Sequence, residues 1–409
     1  MATTRQRDIS SVRIASKDLP RSVSAAQVKA HTMRPAHVRD IQIEVVDPAK
    51  ERRLDLKVST KQFKTTPKAD LEAFGLAMHT ALKDTVTGYM LQVRKGGALA
   101  HTGIWNWSQT PADAKQGWNE DRRMHIASVS KFLTAVGMVK ALDSEGISYD
   151  AKISGYLPAY WAQGDNVDKI TFRHLLTHSS GFSGNSSASD YGFMKGRVKQ
   201  GVPAVPGGDY ENMNFGLCRI LIPIVTGLIH RKAEFPEFAR DQIWDALTIN
   251  HYRDYMQDHV FTPAGVKNAG FAPAAGGALA YRHPHAGRDG WNSGELQTVS
   301  GGAGWRLSCQ EVLDVMNHVR RKNTIVSKAK AQTILDSRFG IDQIQNTPAG
   351  KTYNKNGAWG TGAGEREQCV AFFLPAGMEA VVFVNSPIGT GDFSLRGLVQ
   401  DAYVGCLSA

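Results

Sequence analysis

Apolar and polar positions along the chain fall into two periods, and each period predicts an element type. From Asp70 to Leu82, the apolar residues Leu71, Phe74, Met78 and Leu82 share one helical face. Gly88–Arg94 reads as a strand, Lys95-Gly96-Gly97 as a turn, and Ala98–Trp107 as the returning strand. Ser130 to Leu142 has the pattern of a strongly amphipathic helix, with Phe132, Leu133, Val136, Val139 and Leu142 apolar. Cys309 to Val319 is helical by the same criterion. Cys369–Leu374 and Glu379–Val384 are strands joined by Pro375-Ala376-Gly377, and a last helix runs from Ser394 to Val404. Ahead of all these, Ile41–Val46 and Leu54–Val58 alternate like two short strands around an Asp47-Pro48 turn. Residues 145–300 carry many Gly, Pro and Asn turns and read as helix-poor to mixed.

Helix, strand pair, long middle, strand pair, helix is the order of an α+β fold. An antiparallel sheet flanked by helices is predicted, with N- and C-terminal pieces meeting in one sheet and a mostly helical region inserted between them. The expected division is a basic, partly strand-like extension over residues 1–66 and a main unit over 67–409. Within that unit, 67–145 and 300–409 supply the α/β part, and 146–299 the helical and loop part.

Composition adds mostly exclusions. With 409 residues, 42% apolar and 21% charged, the chain is neither disordered, collagenous nor a disulfide scaffold. The run Ile220–Ile229, broken by Pro223 and Gly227, falls short of the roughly 18–20 residues a membrane span needs. Residues 1–70 hold 15 Lys+Arg against 8 Asp+Glu, so most of the net +10 charge sits there. Those basic residues are scattered, and Phe63 is the only aromatic among them. A solvated extension fits this better than a nucleic-acid surface. The four cysteines form no C-x-x-C pair and are expected to be buried free thiols. The first residues lack the apolar core of a secretory signal, so a cytoplasmic location is expected.

The chemistry is concentrated in short motifs. Ser128 and Lys131 stand at i and i+3 at the start of a predicted helix, on one face. A lysine kept neutral by desolvation or by positive neighbours can take the proton of a serine hydroxyl. Ser327 and Lys330 repeat the spacing, but in a polar, Lys/Arg-rich stretch that reads as surface. Ser130 lies one residue off the face a lysine base needs, and is expected to cap or pack. Tyr210-Glu211-Asn212 follows a strong Pro206-Gly207-Gly208-Asp209 turn. A phenol near a lysine shuttles protons more easily, and Asn212 offers hydrogen bonds to a lysine or a substrate amide. Lys355-Asn356-Gly357 comes shortly before the two C-terminal strands. Lys355 could hold an anionic group or bias the phenol toward phenolate, and Gly357 permits close backbone approach. The N–H groups of Ala358 and Ser128 could together form an oxyanion hole.

In that order, these three motifs resemble those of the serine β-lactamase and penicillin-binding-protein superfamily. The chain is most similar to its class C β-lactamase-like branch, which also holds family VIII esterases, D-amino-acid peptidases and acyl transferases. Ile170–Phe182, with its Leu-Thr-His-Ser-Ser-Gly core, and Ser300-Gly301-Gly302-Ala303-Gly304 extend the resemblance over about residues 70–407. The resemblance implies a β-lactamase/transpeptidase-like fold and an acyl-enzyme on Ser128. Lys131 and Tyr210 would share the acid and base roles, in an order left open. It implies no metal or cofactor, and a small-molecule ester, amide or lactam as partner. Residues 1–66 have no counterpart in it. Asn356 replaces the usual small hydroxyl residue, and bulky Trp359 stands beside the oxyanion strand. These departures favour an esterase or amidase over a β-lactam specialist. His174 and His178 lie four apart, yet buried structural roles are expected for both rather than metal binding. Tyr281–His285 is expected as a loop near the site, and Trp105, Trp107, Trp305 and Trp359 as pocket or core residues.

Overall fold

The computed structural model describes residues 66–184, 187–285, 287–389 and 394–408. The two strands expected at 41–46 and 54–58 lie outside the described residues. The first hairpin supplies β1 (Gly88–Lys95), β2 (Ala98–Gln109) and the short β3 (Gln116–Gly117). The C-terminal part supplies β4 (Gln343–Thr347), β5 (Gly350–Gly360), β6 (Arg366–Leu374) and β7 (Met378–Val384). These seven strands form one sheet in the order β3-β2-β1-β7-β6-β5-β4. Every neighbouring pair is antiparallel. The two ends of the chain join between β1 and β7, where Tyr89 faces Val384 and Lys95 faces Met378. This is the predicted mixed architecture, with the sheet closed by chain segments far apart in sequence.

The helices, in chain order, are α1 (Leu71–Leu82), α2 (Ser130–Ser144), α3 (Phe172–Leu176), α4 (Tyr191–Gln200), α5 (Asn212–Val225), α6 (Arg240–Met256), α7 (Cys309–Asn317), α8 (Lys328–Asp336) and α9 (Leu395–Gly405). Local chemistry starts several of them. The Asp70 carboxylate accepts from the N–H groups of Glu72 and Ala73 at 3.0 and 3.1 Å, and Ser308 with Glu311 forms a reciprocal capping box. Each such cap contributes about 1 kcal/mol.

Strand parity sorts the core into two layers. Val370, Phe372 and Leu374 of β6 pack with Phe74, Met78, Val399 and Tyr403 of the terminal helices. Cys369, Ala371 and Phe373 pack with the α2 side. Burial on both faces explains why β6 is continuously apolar from Cys369 to Leu374. Helix α2 is buried along 12 of its 15 residues, more than an amphipathic surface helix would be. It lies between the sheet, where Phe132 meets Phe373 edge-on at 5.4 Å, and the inserted helices. Residues expected to be helix-poor to mixed hold α4, α5 and α6, of 10, 14 and 17 residues. Every residue of α5 is buried and Pro223, which reads as a helix breaker, lies inside it, while α4 and α6 show little one-sided period. All four cysteines are free and buried. Among the described residues, no helix is long and apolar enough to cross a membrane.

Candidate active site

Ser128 sits in a short 3-10 turn, Ala127–Val129, that leads directly into α2. Ala127 adopts φ 45°, a left-handed conformation that costs a non-glycine residue about 1–3 kcal/mol. The turn leaves Ser128 half-exposed on the wall of a cleft while its neighbours are buried. One helical turn on, Lys131 is wholly buried. Its Nζ lies 2.9 Å from Ser128 Oγ, 2.6 Å from Asn212 Oδ1 and 2.7 Å from the carbonyl oxygen of Gly302. Burial lowers the Lys131 pKa to about 8; the Lys355 cation adds to the fall, and the Tyr210 phenol opposes it.

Tyr210 lies beside both ammonium groups. Lys131 Nζ and Lys355 Nζ are each 4.9 Å from its ring centroid, and Lys355 donates to its hydroxyl at 3.0 Å. Burial of the phenol acts to raise its pKa, but Lys131 and Lys355 outweigh this and bring it to about 8. The residue keeps 40% of its surface exposed, so solvent tempers these charge effects. Lys355 also donates to Asp342 Oδ1 at 2.6 Å. Burial acts to lower the Lys355 pKa, but Tyr210 and Asp342 more than compensate and hold it above the usual lysine value. Asp342 further accepts from the N–H of Asn356 at 2.9 Å, holding β5 just before Gly357.

Strand β5 runs against the Ser128 turn. A Cβ added to Gly357 would lie 2.5 Å from the carbonyl oxygen of Ile126 and 3.0 Å from the amide nitrogens of Ser128 and Val129. Only glycine permits this approach, which brings Ala358 to the cleft wall beside Ser128. The cleft encloses about 620 Å³, and its wall also includes His178, Tyr210, Arg338, Asp342, Asn356 and Arg396. Trp359 is half-buried, edge-on to His125 at 5.5 Å, and borders a smaller cavity of about 290 Å³ beyond Ala358.

Ser128, Lys131, Tyr210, Asn212, Lys355, Gly357 and Ala358 are therefore gathered at one place, with Trp359 at its edge. Several other expectations change. His178 is not a buried structural residue: it lines the cleft, and its ring stacks on Tyr210 at 4.1 Å. Desolvation, then Lys131 and Lys355, hold its pKa well below the usual histidine value. His174, by contrast, caps α3 together with Thr171. Trp105, Trp107 and Trp305 are core residues, 4% exposed or less. Ser130 packs rather than caps, as one of the two expected roles: it is fully buried and, among the described residues, its hydroxyl has no partner. Ser327 caps the exposed start of α8. In the 281–285 loop, the Tyr281 hydroxyl bonds Asp113 at 2.5 Å and Arg282 pairs with Glu365. Asp342, His178 and the Gly302 carbonyl were not foreseen as site groups.

The sheet with its inserted helices, and a serine and lysine in contact at the cleft wall, define a class of serine hydrolase fold. The family model for Beta-lactamase matches residues 77–403, and the chain belongs to the beta-lactamase family, within the penicillin-binding-protein-like serine hydrolase superfamily. It is 30% identical over 149 residues to the esterase/beta-lactamase LipL of Mycobacterium tuberculosis, a stretch covering 32% of this chain and 34% of LipL. It is 26% identical over 152 residues to a Bacillus subtilis protein named as a penicillin-binding protein, PbpX, covering 36% of this chain and 32% of that one. The matched stretch thus spans about a third of the length of each relative. A class C beta lactamase from Rhodobacter sphaeroides shares the fold, with a TM-score of 0.59, 15% identity, and coverage of 81% of this chain and 98% of that one.

Proposed function

We propose that the protein is a hydrolase that cleaves an ester or amide of a small molecule through an acyl-enzyme on Ser128. One observation carries this reading. The Lys131 ammonium has three N–H groups and three partners: Ser128 Oγ, Asn212 Oδ1 and the Gly302 carbonyl. Two of those partners are acceptors only. When Lys131 loses a proton, its lone pair turns to a neighbour with a hydrogen to give: Ser128 Oγ at 2.9 Å, or the Tyr210 hydroxyl that also interacts with the amine. In the first arrangement the neutral amine is hydrogen-bonded to the hydroxyl it activates, and a pKa of about 8 keeps that state accessible near neutral pH.

In the proposed cycle, Ser128 Oγ attacks the substrate carbonyl as its proton passes to the Lys131–Tyr210 pair. The oxyanion is held by the N–H groups of Ser128 and Ala358, a role that the close approach of Gly357 supports. The pair returns the proton to the leaving alcohol or amine, and water then releases the acid. The same intermediate serves a D-amino-acid peptidase, a lactamase or an acyl transferase, according to the acyl donor and the second nucleophile. LipL, named as an esterase/beta-lactamase, is consistent with the ester and amide reading. A carboxylate on the substrate is favoured by the charge of the cleft: Arg338 and Arg396 line it and Lys355 lies at its base, against the single acid Asp342. The test is turnover on p-nitrophenyl esters, D-amino-acid amides and nitrocefin by wild type and Ser128→Ala. Turnover of at least one class that vanishes in Ser128→Ala is expected. A folded wild type inert on all three would favour a catalytically silent binding protein.

A further inference from the structure

Beneath the Ser128 turn lies a second buried polar group that the cycle above does not use. His125 and Glu367 are 0% and 1% exposed, and His125 Nδ1 is 2.9 Å from Glu367 Oε2. The other ring nitrogen, Nε2, accepts the N–H of Gly304 at 3.0 Å. An accepting Nε2 carries no proton, so Nδ1 bears the hydrogen and donates to the carboxylate. Gly304 belongs to the turn whose Gly302 carbonyl accepts from Lys131 at 2.7 Å and whose Gly301 carbonyl accepts from Thr134 at 2.7 Å. Glu367 in turn faces Trp359 across the β5–β6 pair, one residue from Ala358.

We infer that His125 and Glu367 form a positioning dyad, which fixes the 301–304 turn and thereby the Lys131 amine against Ser128. A buried neutral imidazole donating to a buried carboxylate is a poor source of net stability, since the carboxylate is desolvated and apolar residues of similar volume commonly serve as well. What an apolar pair could not do here is hold Gly304 through a ring of fixed tautomer while bracing the strand that carries Ala358. Glu367 is itself fixed from its far side. Ser293 lies 3.3 Å from Glu367 Oε1, and Arg306 donates to Ser293 at 2.8 Å. The charged groups facing this layer are Arg306 and, acting on it, Glu295. Those facing Lys131 are Tyr210, Lys355 and Asp342, with His178 stacked behind Tyr210.

The inference rests on the Ser128–Lys131 reading, and the experiment separates the two. The full chain is assayed on a p-nitrophenyl ester as wild type, Ser128→Ala, Glu367→Gln, His125→Gln and His125→Leu, with a melting curve for each. Wild-type turnover that persists in Ser128→Ala removes the underlying reading, and this inference with it. With Ser128 dependence established, a folded Glu367→Gln is expected to lose about 10–100-fold in kcat with KM little changed. The acid limb of its pH–rate profile should also move to lower pH, because the Lys131 ammonium loses a well-placed acceptor in Gly302. His125→Gln can still accept from Gly304 and donate to Glu367, and is expected to retain more activity than His125→Leu. A folded Glu367→Gln with wild-type kcat and an unmoved acid limb would overturn the dyad. If Glu367→Gln does not fold, equal kcat and equal pH profiles in His125→Gln, His125→Leu and wild type would overturn it as well.

Discussion

Replacing Gly357 by alanine tests the geometry of the cleft with a single methyl group. The added Cβ would lie 2.5 Å from the Ile126 carbonyl oxygen and 3.0 Å from the Ser128 and Val129 nitrogens. A carbon–oxygen contact normally settles at about 3.3 Å or more, so β5 and the Ser128 turn must separate by about 0.8 Å. Oxyanion donors act within a window of about 2.7–3.1 Å, and a retreat of that size takes the Ala358 N–H out of it. Loss of one such donor costs about 10²–10³ in kcat. The overpacking itself should cost about 1–3 kcal/mol of stability. The assay is kcat on a p-nitrophenyl ester beside a urea unfolding curve. A folded Gly357→Ala with kcat within about three-fold of wild type would refute the argument that this strand supplies an oxyanion donor.

Four further outcomes follow from the same contacts. Lys131 and Tyr210 both sit at about 8, so kcat/KM should rise with pH through that value as the pair loses a proton; a profile flat across it contradicts the base assignment. Lys355→Met removes a cation that draws the Tyr210 pKa down, so the same limb should move to higher pH while kcat/KM falls. Arg396→Ala should raise KM for a carboxylate-bearing ester well above any change for its neutral counterpart, measured by paired kinetics. Phe373→Ala removes a ring that is 1% exposed and packed edge-on against Phe132, and should cost about 3–5 kcal/mol in urea unfolding.

The parts of the site that could be read from sequence are those whose chemistry is local. Ser128 and Lys131 share one helical turn, so their spacing already implies contact. Tyr210, Asn212 and Lys355 were singled out by the order of their motifs, though nothing local fixes how far they lie from Ser128. Asp342 carries no such signal, because its partners Lys355 and Asn356 belong to the next strand and the contact exists only once β5 is paired. His125 and Glu367 stand 242 residues apart, and they meet only because the Ser128 turn packs on β5 while β6 pairs beside it. The sheet was legible because β6 and β7 hold the apolar runs Cys369–Leu374 and Ala380–Val384 on either side of turn residues. That the inserted region is mostly helical was legible, but its individual helices were not, because Pro223 interrupts α5 and α4 and α6 show little one-sided period. Trp105 shows the remaining difficulty. It pairs with Tyr89 and faces the terminal helices, a consequence of strand parity that its composition cannot reveal.

The central claim is that Ser128 is the nucleophile, activated by Lys131. The most direct measurement is the intact mass of the protein after incubation with a fluorophosphonate, compared among wild type, Ser128→Ala and Lys131→Ala. The account predicts a single adduct on wild type, none on Ser128→Ala and greatly slowed labelling of Lys131→Ala. An adduct that survives in Ser128→Ala, or a folded wild type that takes up no label, would contradict it.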